Sequence, residues 1–145
     1  MIRLADKEDL PHIVAMGIRF MNETPYVRYI TQDTDKMFEL AEKLIDSPNG
    51  LLLVNTEADE INGMIGVYAF CHPMSGEIVA SEMFWWVDPE ARGLSGVRLL
   101  RCAEDWAVKV GAQRMMMIAP NDRVGEFYRR VGYDRVETTY MRRLA

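Results

Sequence analysis

The chain has 145 residues, of which 49% are hydrophobic, and this is enough apolar material for the continuous core of one domain. Its formal net charge of -5 argues against the broad cationic surface that a nucleic-acid partner requires. The N-terminus is acidic where a signal peptide would be basic, and no apolar run reaches the length of a membrane span. We therefore expect a single cytoplasmic domain over residues 1–145 that binds neither nucleic acid nor membrane.

The two cysteines give no indication of a metal centre. Cys71 and Cys102 lie far apart, without CxxC spacing and without a neighbouring Cys/His cluster. We expect no metal site, and we expect both cysteines to be reduced thiols in the core.

The first half of the chain predicts two helices followed by strands. Residues 2–4 form a short apolar segment, and Asp6 is then placed to cap a helix whose apolar residues recur at helical spacing. A second helical pattern covers residues 33–45 and ends at turn-forming residues 47–50. Three apolar runs separated by turn-forming segments then predict a meander of strands. These runs are 51–55, 61–70 and 77–87.

The second half predicts a strand–helix–strand crossover. A long amphipathic helix ends at Gly111, and the apolar run 115–119 is typical of a strand that is buried on both faces. A short helix follows and ends at Gly132, after which residues 133–141 alternate well enough for a final strand or strand pair. The order β-α-α-β-β-β-α-β-α-β indicates the α+β class.

The unit at residues 85–107 is the strongest local indication of function. Gly93 and Gly96 allow a tight turn at the start of the long helix, where free backbone amides and the helix dipole favour a phosphate or pyrophosphate. Arg92 adds a positive charge at the rim of this site. The P-loop lysine and the GxGxxG spacing are both missing. Taken by itself, the loop is equally consistent with a plain turn.

Two segments carry motifs of a known family. Residues 87–97, VDPEARGLSGV, resemble the acyl-CoA loop of the GNAT N-acetyltransferase superfamily, in which Arg/Gln-x-x-Gly-x-Gly/Ala follows a strand ending in Val-x-Pro-Glu. Ser95 replaces the usual middle glycine of this loop, and Val97 replaces a small residue. The segment from Asn121 to Tyr133 resembles the second motif, an Asn followed by Phe-Tyr-x-x-x-Gly-Tyr.

The resemblance implies both a fold and a reaction. The GNAT fold has a central mixed, mostly antiparallel sheet of six to seven strands, flanked by about four helices, with splayed strands at the acyl-CoA site. The implied reaction moves an acetyl group directly from acetyl-CoA, the co-substrate, to a primary amine in a ternary complex and without a metal. The acceptor would be a small-molecule amine or a protein amine. Separately, the exposed edge that a final strand leaves is compatible with a homodimer, although such edges are also commonly blunted.

The resemblance also implies which residues bind the co-substrate. The pantetheine arm would lie along the strand, the pyrophosphate would lie on the loop amides, and Asn121 would contact the co-substrate. Tyr128 would lie near the sulfur and protonate the departing thiolate. On spacing alone, Tyr128 is instead a core residue on an apolar helix face. The strand and loop residues are Trp85, Trp86, Val87, Arg92, Gly93, Leu94, Ser95, Gly96 and Val97.

Glu82 is the candidate base, because a protonated amine must lose a proton before it attacks the thioester. It precedes the pantetheine-binding stretch in an apolar run, where the pKa of a carboxyl group tends to rise. Strict alternation places Glu82 on one face with Phe84 and Trp86, although an outward-facing charge is the other interpretation. Glu77 is a weaker alternative. The histidines, His12 in a helix and His72 in a turn, have no partner in sequence.

Two further alternatives remain open. Phe20, Tyr26 and Tyr29 lie between the first helices, where family members shape the acceptor pocket, so they either line that pocket or pack in the core. The whole domain could also be a non-catalytic acyl-CoA-binding module with a sensing or structural role. The departures at Ser95 and Val97 favour this second function.

Overall fold

A mixed sheet in the order β1-β2-β3-β4-β5 forms the centre of the computed structural model, which describes residues 1–145. Neighbouring strands pair antiparallel, except that β4 and β5 are parallel. The strands are β1 (Ile2–Leu4), β2 (Gly50–Glu57), β3 (Glu60–Cys71), β4 (Ile78–Val87) and β5 (Arg114–Met116). Ala58 and Asp59, both with positive φ, form the tight turn between β2 and β3.

Four helices cover the sheet, and local capping explains where several of them begin. The helices are α1 (Leu10–Glu23), α2 (Thr34–Asp46), α3 (Leu94–Lys109) and α4 (Asp122–Arg130), and short 3-10 helices cover Lys7–Asp9, Pro25–Arg28 and Pro89–Ala91. The side chains of Asp33 and Asn121 accept hydrogen bonds from the first-turn amides of α2 and α4. Asp6 forms a capping box with Asp9 ahead of α1.

Two apolar layers hold the helices against the sheet. On one face, α1 and α2 pack through residues such as Met16 and Leu44 onto Leu52 and Met64. On the other face, α3 packs through Leu99 and its neighbours onto Ile65 and Val67. The predicted helices, the first four strands and the α+β class are confirmed.

The C-terminal part of the sheet differs from the prediction. The sheet has five strands rather than six to seven, and residues 133–145 form no strand. The apolar side chains of this tail, Val136 and Tyr140, are 82% and 92% exposed, so no buried face stabilises a strand there. β5 is therefore one of the two edge strands of the sheet. The prediction that residues 115–119 form a strand buried on both faces is wrong, because Ile118 and Ala119 are exposed.

The cysteines also differ from the prediction. Both Cys71 and Cys102 are free thiols, but both are exposed rather than buried in the core. Cys71 ends β3, and Cys102 lies on a solvent-facing position of α3, next to the buried Ala103. A helical period of 3.6 residues explains how neighbouring positions of α3 differ in burial.

β4 and β5 separate after a short pairing, which confirms the predicted splay. They pair only from Val79 to Ser81 of β4, although β4 continues to Val87. One edge of β4 beyond Ser81 therefore has no neighbouring strand. This opening, at the carboxyl ends of two parallel strands, is where the candidate site lies.

A β-bulge in β4 decides which face Glu82 occupies. Gly66 pairs with Phe84, whereas Val67 pairs with Glu82, so Met83 is the extra residue. Since paired residues share a face, Glu82 lies with Val67 on the α3 side, and Phe84 lies on the α1–α2 side. The alternation that placed Glu82 with Phe84 and Trp86 is therefore wrong.

We expect Gly66→Ala to destabilise the protein by about 1–3 kcal/mol through overpacking. A Cβ at Gly66 would lie 2.6 Å from Cζ of Phe84 and 2.9 Å from Cδ1 of Leu44. Gly125→Ala is the control, because its Cβ would make only a 3.6 Å contact with Ala119, and alanine favours the α4 helix. Urea denaturation measures both variants. An undiminished unfolding free energy for Gly66→Ala would contradict the tight packing at the bulge.

Candidate active site

The carboxyl group of Glu82 lies at the opening between β4 and β5. Glu82 is 4% exposed, and its Oε2 accepts a hydrogen bond of 3.0 Å from the Ile118 amide. Its Oε1 accepts no hydrogen bond from the protein. Burial raises the pKa of Glu82 to about 7, although the hydrogen bonds from Ile118 and Tyr128 act to lower it. A carboxyl group with this pKa can exchange a proton near neutral pH.

The Tyr128 hydroxyl lies next to this carboxyl group. Its oxygen is 3.2 Å from the Ile118 carbonyl and 3.5 Å from Oε2 of Glu82. Both neighbours are acceptors, so the single hydroxyl proton favours the closer carbonyl and reaches Glu82 by rotation. Burial, followed by the negative charge of Glu82, raises the pKa of Tyr128 well above its usual range. The phenol therefore stays protonated at neutral pH.

A group of aromatic rings holds Tyr128 in place. The Trp85 ring stacks on the Tyr128 ring, with centroids 6.0 Å apart and planes inclined by 25°. Phe127 lies against both of these rings, at 5.8 and 6.0 Å between centroids, and Tyr133 lies against the Tyr128 ring at 5.7 Å. The Tyr133 hydroxyl donates a 2.7 Å hydrogen bond to Glu104 of α3. The rings thus connect β4, α3 and α4 around the opening.

The start of α3 has free backbone amides. Gly93 has φ of 133° and ψ of -124°, a conformation that favours glycine. The amides of Leu94, Ser95 and Gly96 donate to no acceptor in the protein, and no side chain caps the helix. The Ser95 hydroxyl donates to the Ala91 carbonyl at 2.7 Å, which leaves the Ser95 amide available. These donors and the helix dipole suit a pyrophosphate.

The indole N–H of Trp85 is also without a partner. Its Nε1 is buried and makes no hydrogen bond. The indole lies beside the start of α3, because a Cβ at Gly96 would be 3.4 Å from Cζ2 of Trp85. An unpaired buried donor of this kind calls for a partner that the protein does not supply, such as a water molecule or a ligand group.

Other predicted binding residues have partners within the protein. The Arg92 guanidinium donates to the Val87 carbonyl and pairs with Glu23 at 3.0 Å, and it lies 4.9 Å from the centroid of the Trp86 ring. The positive charge of Arg92 is thus partly neutralised by Glu23, which is not part of the loop. Trp86 and Val87 are buried, so only their backbone is available to a ligand. Asn121 caps α4 through Oδ1 and retains its amide donors.

The weaker candidates for a base lie elsewhere. Glu77 is 3.8 Å from Arg114, His12 is exposed, and Nδ1 of His72 accepts from the Met74 amide within a turn. The sequence did not reveal the part played by Ile118, whose amide binds Glu82 and whose carbonyl binds Tyr128. A backbone amide or carbonyl can belong to any residue type, so the sequence does not mark it. Only the position of Ile118, just after β5 and opposite β4, could have been inferred from the predicted strand order.

A comparison with protein-family models matches residues 18–133 to the acetyltransferase (GNAT) family. The chain belongs to this GNAT family. It is accordingly an acetyl-CoA-dependent N-acyltransferase, and the matched residues include Glu82, the α3 loop and Tyr128. A comparison with curated protein sequences gave no match.

Solved structures share the fold of this GNAT domain at low sequence identity. A predicted acetyltransferase from Clostridium acetobutylicum, solved with acetyl-CoA, has a TM-score of 0.80 and 13% identity, over 97% of this chain and 94% of that one. A transcriptional regulator from Bacillus halodurans has a TM-score of 0.79 and 19% identity, over 99% of both chains. The aminoglycoside 6'-N-acetyltransferase AAC(6')-IG from Acinetobacter haemolyticus has a TM-score of 0.77 and 15% identity, over 100% and 98%.

Neither a metal-binding cluster nor a membrane-spanning helix is found in the GNAT domain. No group of three or more His, Cys, Asp or Glu side chains is arranged to bind a metal ion. None of the helices combines the length and the apolar character needed to span a bilayer.

We expect the buried carboxyl of Glu82 to make the stability of this GNAT domain pH-dependent. The folded pKa of about 7 exceeds the ordinary 4.5, so the native state binds more protons between these values, and stability falls as the pH rises through this window. The loss from this group is about 2 kcal/mol between about pH 5.5 and pH 8. Glu82→Gln should lack this decline in urea denaturation.

Glu77→Gln is the matched control, because Glu77 directly precedes β4, the strand that carries Glu82, but its side chain is partly exposed. It should keep the wild-type decline. Equal pH dependence in the two variants would show that Glu82 is not the buried titrating group.

Proposed function

We propose that this domain transfers an acetyl group from acetyl-CoA directly to a primary amine, with Glu82 as base and Tyr128 as acid. The observation that carries the proposal is the juxtaposition of these two buried side chains, with the Tyr128 hydroxyl 3.5 Å from Oε2 of Glu82, in a pocket at the opening between β4 and β5. One group has a pKa near 7 and the other stays protonated, which is the division that acid–base catalysis needs.

The residues around the opening suit the binding of acetyl-CoA, which supplies the activated acyl group and a thiolate leaving group. The amides of Leu94, Ser95 and Gly96 would hold the pyrophosphate, and the backbone of Trp85–Val87 would hold the arm. The Trp85 indole would donate to a carbonyl of the arm. The serine in this loop is compatible with binding, because its hydroxyl is bound to Ala91 and its amide is free.

Glu82 takes a proton from the entering ammonium group, so that the nitrogen lone pair can attack the acyl carbon. The C–N bond then forms and the C–S bond breaks. Oε1, which has no protein partner, is the oxygen available to the amine, while Oε2 contacts Tyr128. Because the surroundings are apolar, the carboxyl group is basic enough to do this near neutral pH.

Tyr128 supplies the proton that the leaving sulfur needs. The phenol is a weaker acid than a thiol, first because burial raises its pKa, so its proton moves to sulfur only as the phenolate recovers one from the protonated Glu82. Glu82 takes two of the three ammonium protons in turn. The first passes through Tyr128 to sulfur, the second stays on Glu82 until it returns to water, and the third stays on the amide product. Departure of the thiolate is thus coupled to deprotonation of the amine.

We expect kcat/KM for the amine to rise with pH through about 7 as Glu82 ionises. Glu82→Gln should lose this rise and lower kcat by about 10²–10⁴-fold. Tyr128→Phe should lower kcat with little change in the KM for acetyl-CoA. The rate of CoA thiol release with a panel of amines is measured for the wild type and for both variants.

Tyr140→Phe, in the exposed tail, is the control and should match the wild type. Full activity of Tyr128→Phe and Glu82→Gln would refute the assigned roles. A wild-type protein that binds acetyl-CoA but acetylates no amine would instead be a non-catalytic acyl-CoA-binding module.

We expect Trp85→Phe to weaken acetyl-CoA binding by about 3- to 10-fold, because it removes the indole hydrogen-bond donor while an aromatic ring stays at the position. Titration calorimetry should show an unchanged affinity for 3'-phospho-ADP, which has the nucleotide of CoA without the pantetheine arm. Trp106→Phe, on α3 and away from the cavity of Glu82, is the control. An equal loss for both ligands would contradict a contact between the indole and the arm.

A further inference from the structure

The cavity beside Glu82 has apolar and aromatic walls. Its volume is about 90 Å³, and seven of its nine lining residues are hydrophobic. Two of them, Phe20 of α1 and Tyr26 of the following 3-10 helix, come from the side of the sheet opposite α3. Their rings pack together, with centroids 6.4 Å apart. The cavity therefore extends through the opening in the sheet toward a wall that the acyl-CoA motifs do not supply.

Glu82 is the only charged side chain that lines this cavity. Its Oε1 has no partner in the protein, so the cavity offers one strong acceptor to a bound nitrogen. A second ammonium group on the same molecule would face Phe20, Met83 or Val124 without a partner. Burial of an unpaired polar or charged group is costly, so such a molecule is disfavoured.

Three acidic side chains on the surrounding elements are paired with cations and do not line the cavity. Glu23 of α1 pairs with Arg92, and Asp88 after β4 pairs with Arg19 and accepts from Trp86. Glu126 of α4 pairs with Arg129. These carboxylates are already neutralised by neighbouring cations.

We propose that the acceptor is a small primary amine on an uncharged apolar stem, alkyl or aryl, and that Phe20 and Tyr26 select it. The inference rests on the proposed function and names its substrate class. The stem packs against the two rings and Met83, and the nitrogen reaches Oε1 of Glu82.

Matched amines test this selection. Pentylamine and 1,5-diaminopentane have the same chain and differ by one terminal ammonium group, and 2-phenylethylamine adds an aryl stem. At saturating acetyl-CoA, we expect kcat/KM for pentylamine and 2-phenylethylamine to exceed that for the diamine by at least about 10-fold. A diamine or an aminoglycoside that reacts faster would overturn the inference and leave the proposed function intact. Absence of transfer to every amine would overturn both.

A second carboxylate in the wall should reverse the preference. In Tyr26→Glu, the ratio of kcat/KM for pentylamine over the diamine should fall by at least about 10-fold, with the KM for acetyl-CoA unchanged. Tyr29→Glu is the matched control, because Tyr29 follows in the same segment but is exposed and does not line the cavity. The ratio is measured within each variant, so a general loss of rate does not obscure it. An unchanged ratio in Tyr26→Glu would show that Tyr26 does not select the stem.

Discussion

The hydrogen bond from the Ile118 amide to the Glu82 carboxyl is the interaction on which the site depends. It crosses the gap that opens once β4 and β5 cease to pair, and it connects residues 36 positions apart. The carbonyl of the same residue accepts from the Tyr128 hydroxyl. One peptide segment therefore orients both ionisable groups, and a hydrogen bond to a buried charged group is among the stronger interactions in a protein.

This arrangement divides the cleft into two electrostatic regions. The start of α3 supplies uncapped amides and the partial positive charge of a helix N-terminus, whereas the cavity beyond β4 is apolar with one carboxyl group. Ion pairs of Arg19 with Asp88 and of Arg92 with Glu23 join α1 to the segment between β4 and α3. Such pairs at the surface contribute little stability, and the apolar packing of α1 on the sheet is what holds Phe20 at the opening.

Much of the fold could be predicted because it follows from local patterns. Apolar periodicity placed all four helices, and the caps at Asp6, Asp33 and Asn121 are short-range hydrogen bonds between residues close in sequence. The errors concern burial, which depends on neighbours. Residues 133–141 alternate like a strand, but nothing packs on their apolar side. Within residues 115–119, Met115 and Met117 pack on the α3 side, whereas Ile118 and Ala119 are exposed.

The sequence by itself determined the α+β class, the helices, and the two motif segments that resemble GNAT proteins, because each of these depends on residues close together in the chain. It also singled out Glu82 and Tyr128 separately. Only the tertiary structure decided that they form a pair, since they are 46 residues apart and meet through Ile118. The bulge at Met83 reverses the face that simple alternation assigns to Glu82, and burial at that position raises its pKa to about 7. Both effects arise from strand register and packing, which cannot be read from the residue pattern of a single strand.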